Sequence, residues 1–262
     1  MFKVFEYPEF LSPVAFEFFG LAIRWYSLSY ILGFIYFYIF AVYHLNHFNL
    51  DKKKLDDLFF YLFLSVIIGG RLGYVIFYNI SFYLSNPLDI LKVWQGGMSF
   101  HGALFGIILT TIIYTKIYSI KLFLIADLLS ITAPLGIFLG RLSNFVNQEL
   151  IGRKTDFFIS IRYSGEEFYR HLSQIYEAVF EGFIPFIVLF YIFKLFKEIP
   201  KGLITSIFLI NYSIVRFLIE YLREPDVQIG IKYNLFTQGQ ILSIPILFIG
   251  LIILYRCLYN KK

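Results

Sequence analysis

Seven runs of about twenty mostly apolar residues fill most of this chain, and that length is what a helix needs to cross the hydrocarbon core of a bilayer. They fall approximately at 20–43, 55–78, 101–118, 122–142, 175–193, 202–221 and 237–259. With 58% hydrophobic residues, 16% charged residues and a mean hydropathy of +0.70, the chain is too apolar for a soluble domain. The fold class that follows is an all-α polytopic membrane protein of about seven transmembrane helices, read as a single integral membrane domain over 1–262.

The connections set the orientation. Residues 1–19 carry Glu6, Glu9, Pro8 and Pro13 with no basic cluster, so they read as an interfacial lead-in rather than a signal peptide. With the N-terminus outside, the inner connections hold eleven cations: Lys52, Lys53, Lys54, Lys116, Lys121, Lys194, Lys197, Lys201, Arg256, Lys261 and Lys262. The outer ones hold eight, spread over longer loops: Lys3, Lys92, Arg153, Lys154, Arg162, Arg170, Arg223 and Lys232. The excess in short connections puts the C-terminus in the cytoplasm. The net charge of +5 is accounted for by this topology, so no nucleic-acid partner is expected. Only 143–174 is long enough to form a small extracytoplasmic cap, inserted between the fourth and fifth spans, and FFISIRYS within it (157–164) alternates as a short strand would. No internal repeat of the kind common in secondary transporters is visible.

Four arginines, Arg24, Arg71, Arg141 and Arg216, fall inside these windows. An arginine near the centre of a span costs roughly 3 kcal/mol on insertion scales, so each must face protein, water or an anion. Counting depth at about 1.5 Å per helical residue gathers Arg24, Tyr26, Arg71, His101, Arg141 and Arg216 toward the outer side. Asn144, Asn147 and Glu149 follow Arg141, and amides beside a guanidinium fork can complete the coordination of a phosphate. Arg216, Glu220 and Arg223, spaced i, i+4 and i+7, share a helical face with Asn211 just over a turn below, and Glu220 is expected to hold Arg216 in place. The blander reading of that trio is a helix-end ion pair.

His101 follows Gly96 and Gly97 and, with a reference pKa of about 6.5, suits a general base, although a histidine at a helix start is often structural. Gly69/Gly73, Gly102/Gly106 and Gly136/Gly140 form small-xxx-small pairs that let helices approach closely. His44, His47 and His171 read as solvated, and Asp127 as a structural partner within the fourth span. Cys257 is the only cysteine, so no internal disulfide or thiol cluster is possible and thiol chemistry must use a partner's thiol. Outward-facing arginines in a membrane point to an anion, and the abundant anion there is a lipid phosphate. That inference leaves lipid chemistry, anion transport and lipid-regulated signalling all open.

The run GRLSNFVNQELIG (140–152) resembles the signature of bacterial prolipoprotein diacylglyceryl transferases, and GGRLGYVIF (69–77), WQGGMSFHGALFG (94–106) and VRFLIEYLREPD (215–226) are similar to that family's other blocks, in the same order. The chain has Ser143 where the family often has glycine, and Gln148 before Glu149. The resemblance implies transfer of the diacylglyceryl group of phosphatidylglycerol to the lipobox cysteine of a prolipoprotein signal peptide, with release of glycerol 1-phosphate. It implies a multi-pass protein of the bacterial cytoplasmic (inner) membrane, with no cofactor and no metal. His101, Arg141 and Arg216 would be catalytic, with Arg141 also contacting substrate; Tyr26, Arg71, Asn144, Glu149, Gly152, Glu220 and Arg223 would bind or orient it. The alternative is an anion or lipid transporter whose binding site is the arginine cluster. A peptide-binding receptor is a third reading, but it would not need the arginines at a shared depth.

Overall fold

A computed structural model of the protein describes residues 5–196, 198–225, 231–232 and 236–259, and for Leu21, Gln95, Ile231 and Lys232 the backbone alone. Of the cations counted above, Lys3, Lys197, Lys261 and Lys262 lie outside the described residues. Helices α1 (Trp25–Tyr43), α2 (Lys52–Tyr78), the short α3 (Ile80–Ser85), α4 (Phe100–Ile117) and α5 (Leu122–Val146) come first. A continuous 23-residue helix, Ser173–Leu195, then runs as α6 (Ser173–Glu177), a π turn (Ala178–Phe183) and α7 (Ile184–Leu195). It is followed by α8 (Leu203–Ile219) and α9 (Gln238–Tyr259). Six of these helices are long and apolar enough to cross a membrane, and α8, at 17 residues, is a shorter apolar helix. The chain is an all-α multi-pass membrane protein.

The first apolar window begins too early. Phe19 (φ 46°) and Gly20 (φ 76°) both take left-handed backbone, which turns β2 (Val14–Phe18) back into β3 (Leu21–Arg24) as an antiparallel hairpin. Residues 21–24 are therefore a strand, and Arg24 ends that strand instead of sitting in a span. The lead-in is also more than interfacial: β1 (Phe5–Glu6) pairs in parallel with β4 (Ser160–Arg162), which pairs with β5 (Arg170–His171). The strand expected within 157–164 thus lies at the centre of a three-stranded sheet whose edge comes from the N-terminus. Tyr7, Ile161, Tyr163 and Leu172 form its core, and Tyr7 donates a 2.8 Å hydrogen bond to the Val146 carbonyl at the end of α5. A third pairing, β6 (Ile231–Lys232) with β7 (Phe236–Thr237), precedes α9.

The chain divides into two compact units, residues 38–128 and the remainder. In the smaller unit α2 and α4 cross at their glycines. A Cβ added to Gly69 would stand 2.5 Å from the Gly102 carbonyl oxygen, and one on Gly106 would stand 2.5 Å from that of Ser65. Polar anchors fix this pair: Asp51 caps α2 by accepting from Lys54 N at 2.8 Å, Ser99 caps α4, and Tyr114 on α4 and Tyr118 just past its end donate to the Lys54 carbonyl and to Asp57 at 2.6 and 2.7 Å. In the larger unit the third expected glycine pair is used once: Gly136 on α5 faces Gly33 on α1, whereas nothing lies within 4 Å of a Cβ on Gly140.

Alanine at Gly102 should therefore cost about 1–3 kcal/mol through overpacking, whereas Gly140→Ala should leave the midpoint close to wild type. Thermal unfolding of the detergent-solubilised protein measures both.

Candidate active site

The polar centre of the larger unit is a network of six buried or largely buried charges. Arg141 on α5 approaches Glu177 Oε2 at 3.0 Å through Nη1 and donates to Glu181 Oε2 through Nε and Nη2 at 3.2 and 2.9 Å. Arg216 on α8 pairs with Glu177 Oε1 through Nη1 and with Glu220 Oε2 through Nη2 at 2.8 Å. Arg223, just beyond α8, reaches Glu177 Oε1 at 3.7 Å. The side chains of Glu177 and Glu181 have 0% exposure, and the others no more than 16%. Three cations and three anions cancel, which is how ionised groups persist away from water.

Sequence reasoning missed Glu177 and Glu181, and with them part of its own argument. The arginines do not stand in want of an external anion, because the protein supplies three carboxylates. The signal was present: two glutamates four residues apart within the otherwise apolar window 175–193, a spacing that puts them on one helical face. Local packing delivers them to Arg141. A Cβ on Gly182 would stand 2.6 Å from the backbone N and Cα of Phe138, so only glycine lets the π turn press against α5 one turn before Arg141. Ser29 and Ser143 tie α5 to α1, their hydroxyls 2.7 Å apart. Glu220 packs against the first turn of α9, where a Cβ on Gly239 would come within 2.8 Å of its carboxylate and the helix dipole favours negative charge.

Not every oxygen is satisfied. Glu177 Oε2 and Glu220 Oε2 have guanidinium nitrogens at 3.0 and 2.8 Å but lie off hydrogen-bonding angles. Glu181 Oε1 is buried with no hydrogen-bond partner among the described residues. An unmet buried acceptor costs about 1–3 kcal/mol, more when charged.

The segment after Arg141 bonds chiefly to itself. Gln148 (φ 55°) and Leu150 (φ 57°) turn the backbone, and Glu149 accepts from Asn144 Nδ2 at 3.0 Å and Asn147 Nδ2 at 3.3 Å. Gln174 Nε2 holds the Glu149 carbonyl at 2.7 Å. Gly152 then forms an antiparallel bridge with Arg223, flanked by Arg153 N to Leu222 O at 2.8 Å and Glu224 N to Ile151 O at 3.0 Å. A side chain on Gly152 would collide with the His171 carbonyl, so glycine is required for this seam. Arg170 locks it from β5, donating to the Gly152 carbonyl at 2.9 Å and pairing with Glu166 and Glu224. His171 is not the solvated group expected: it is half-buried with Nδ1 enclosed, and burial pushes its imidazole below the ordinary range.

The structure thus joins Arg141, Arg216, Glu220 and Arg223 directly, and Gly152 through Arg223. Tyr26 is half-buried on α1, its hydroxyl accepting from that of Tyr30 at 3.4 Å. Arg71 and His101 belong to the smaller unit. Arg71 is 4% exposed and donates to the carbonyls of Asp89, Ile90, Gly96 and Gly97, with the Tyr83 ring 5.2 Å from its Cζ, so it pins the 87–97 loop. His101 is exposed in the first turn of α4. No group of three or more His, Cys, Asp or Glu among the described residues is arranged to hold a metal.

Residues 13–256 match the family model described as prolipoprotein diacylglyceryl transferase. The chain belongs to the prolipoprotein diacylglyceryl transferase family. It is 45% identical over 250 residues to the phosphatidylglycerol–prolipoprotein diacylglyceryl transferase of Ehrlichia ruminantium (strain Welgevonden), covering 93% of this chain and 96% of that protein. It is 41% identical over 256 residues to the enzyme of the same name from Rickettsia felis (strain ATCC VR-1525 / URRWXCal2), covering 96% and 98%, and 40% identical over 250 residues to that of Rickettsia bellii (strain OSU 85-389), covering 94% and 95%. The chain is a membrane transferase of this family, and nothing among these relatives supports the transporter alternative.

In a prolipoprotein diacylglyceryl transferase built this way, Glu177 is the hub that touches all three arginines. Glu177→Gln leaves buried positive charge uncompensated and should cost about 3–5 kcal/mol, read as a lower unfolding midpoint and lost activity together.

Proposed function

We propose that this transferase moves the sn-1,2-diacylglyceryl group of phosphatidylglycerol to the lipobox cysteine of a prolipoprotein signal peptide, making a thioether and releasing glycerol 1-phosphate. The observation that carries the reading is the full-length similarity to enzymes named for that reaction. The arginine centre on α5 and α8 supports it as chemistry.

The bond between the glyceryl carbon and its phosphate oxygen breaks as the sulfur–carbon bond forms, and the thiol proton ends on the departing phosphate. A thiol with a pKa of about 8.5 must ionise to attack. His101, exposed at the start of α4, is the proposed first acceptor of that proton. Arg141 and Arg216 are the proposed catalytic pair that neutralises charge developing on the leaving phosphate, as donors aimed at an oxyanion do. Arg71 and Tyr26 are proposed to orient substrate. Glu220 and Arg223 are proposed to orient Arg216. Asn144, Glu149 and Gly152 would shape the substrate side of the seam. Residues 143–174, with the N-terminal strand added, would form the extracytoplasmic head of a single domain in the bacterial cytoplasmic membrane, with the N-terminus outside and the C-terminus in the cytoplasm.

Purified protein given phosphatidylglycerol and a lipobox peptide should produce a diacylglyceryl thioether, detected by mass spectrometry, with one glycerol 1-phosphate per peptide. An unmodified peptide in the presence of folded protein contradicts the reading. Arg141→Lys and Arg216→Lys should each lose at least tenfold in kcat/KM, because an ammonium lacks the planar fork. His101→Gln should lower turnover and flatten its pH profile near neutrality. Reporter fusions within 143–174 should report the extracytoplasmic side and a fusion after Lys54 the cytoplasm.

A further inference from the structure

Arg141 presents three nitrogens, and all three already face carboxylates: Nε and Nη2 converge on Glu181 Oε2, and Nη1 meets Glu177 Oε2. A guanidinium binds a phosphate through paired N–H groups. In the arrangement observed, the Nε/Nη2 pair of Arg141 is spent on a single carboxylate oxygen. If Arg141 is to hold the lipid phosphate, a carboxylate must give way.

The two candidates are unequal. Glu177 bridges three guanidinium groups with both its oxygens, so moving it would release Arg216 and Arg223 as well. Among the described residues Glu181 pairs with Arg141 alone, through one oxygen, and its other oxygen is buried without a hydrogen-bond partner. Glu181 also stands in the π turn, next to Gly182, where the helix departs from α-helical geometry; such turns recur at functional sites. The charged or ionisable groups around it are Arg141 from α5, Glu177 from its own helix, and Arg216 and Tyr212 from α8. Arg141 is the one among them that donates hydrogen bonds to it.

We propose that Glu181 is a placeholder: its carboxylate occupies the seat on Arg141 that the phosphate of the lipid substrate takes, and it swings aside when that phosphate arrives. Glu181 is on this view a positioning residue, keeping the charge of Arg141 compensated and its guanidinium correctly aimed between turnovers and ceding the Nε/Nη2 edge during them. The inference rests on the proposed transfer reaction and adds to it a competition inside the protein, one that lowers the apparent affinity for the phosphate by the fraction of molecules in which the seat is filled.

The competition gives the test a direction that a merely structural ion pair would not. In Glu181→Gln the side chain keeps its shape but no longer holds the seat as an anion. Half-inhibition by glycerol 1-phosphate should fall about tenfold in concentration, and KM for phosphatidylglycerol should fall with it without a matching rise in kcat. Glu181→Asp, which keeps the charge, should stay near wild type in both. Weaker or unchanged affinity for both anions in a folded Glu181→Gln protein overturns the proposal.

A second measurement on the unaltered protein stands if the variant fails to fold. In phosphatidylcholine nanodiscs, adding phosphatidylglycerol or glycerol 1-phosphate should shift a carboxylate band in the infrared difference spectrum. An unmoved carboxylate region at saturating phosphatidylglycerol overturns the placeholder. Wild-type protein that forms no thioether defeats the transferase reading itself, whereas thioether formation with an unmoved band and unimproved affinity defeats only the placeholder.

Discussion

Mutual neutralisation of Arg141, Arg216 and Arg223 by Glu177, Glu181 and Glu220 is the constraint around which the larger unit is built. Ionised side chains are expensive in a bilayer unless each has a partner at contact distance. Contact distance in turn dictates the packing. Gly182 must be glycine so that the π turn can lie against the Phe138 backbone, and Gly239 so that α9 can lie against Glu220. The seam through Gly152 fastens the segment after α5 to the segment after α8, and so fixes Arg223 at the network's edge. Helices α5, α8 and α9 and the helix Ser173–Leu195 therefore meet where their charges require it.

A network of zero net charge is also a poised one. Its parts are held by short contacts to one another, so the guanidinium groups are oriented in advance; in the proposed reaction this is the preorganisation on which electrostatic catalysis draws. Under the proposed function, the same saturation makes binding of an anion an exchange rather than an addition. On the proposal made for Glu181, its oxygen without a hydrogen-bond partner among the described residues marks where that exchange is least opposed.

Much of this was legible in the sequence. The apolar windows gave the helices, because length and hydropathy are properties of single segments. The glycine pairs on α2 and α4 were legible because small residues four apart present one flat face, and the two faces do meet. The trio Arg216, Glu220 and Arg223 was legible from its spacing, and Glu220 does hold Arg216. What escaped depended on partners distant in sequence. Glu177 and Glu181 vanished into the average hydropathy of their window, so the carboxylates that the protein itself sets against the arginines went uncounted. The hairpin at 14–24 escaped because its strand residues are as apolar as a span; only the paired left-handed residues Phe19 and Gly20 mark the turn. The partners of Arg71 escaped for the same reason: within its own unit four backbone carbonyls 18 to 26 residues away in sequence take its guanidinium.

The central claim, that buried charges on different helices hold one another in place, is tested most directly by a double-mutant cycle on unfolding free energy. Arg141→Met and Glu181→Met each strand a buried charge, and each should destabilise the protein by about 3 kcal/mol or more. The double variant removes both charges and should be more stable than either single variant, with a coupling of at least about 1 kcal/mol, while remaining inactive. Losses that simply add in the double variant would contradict the account.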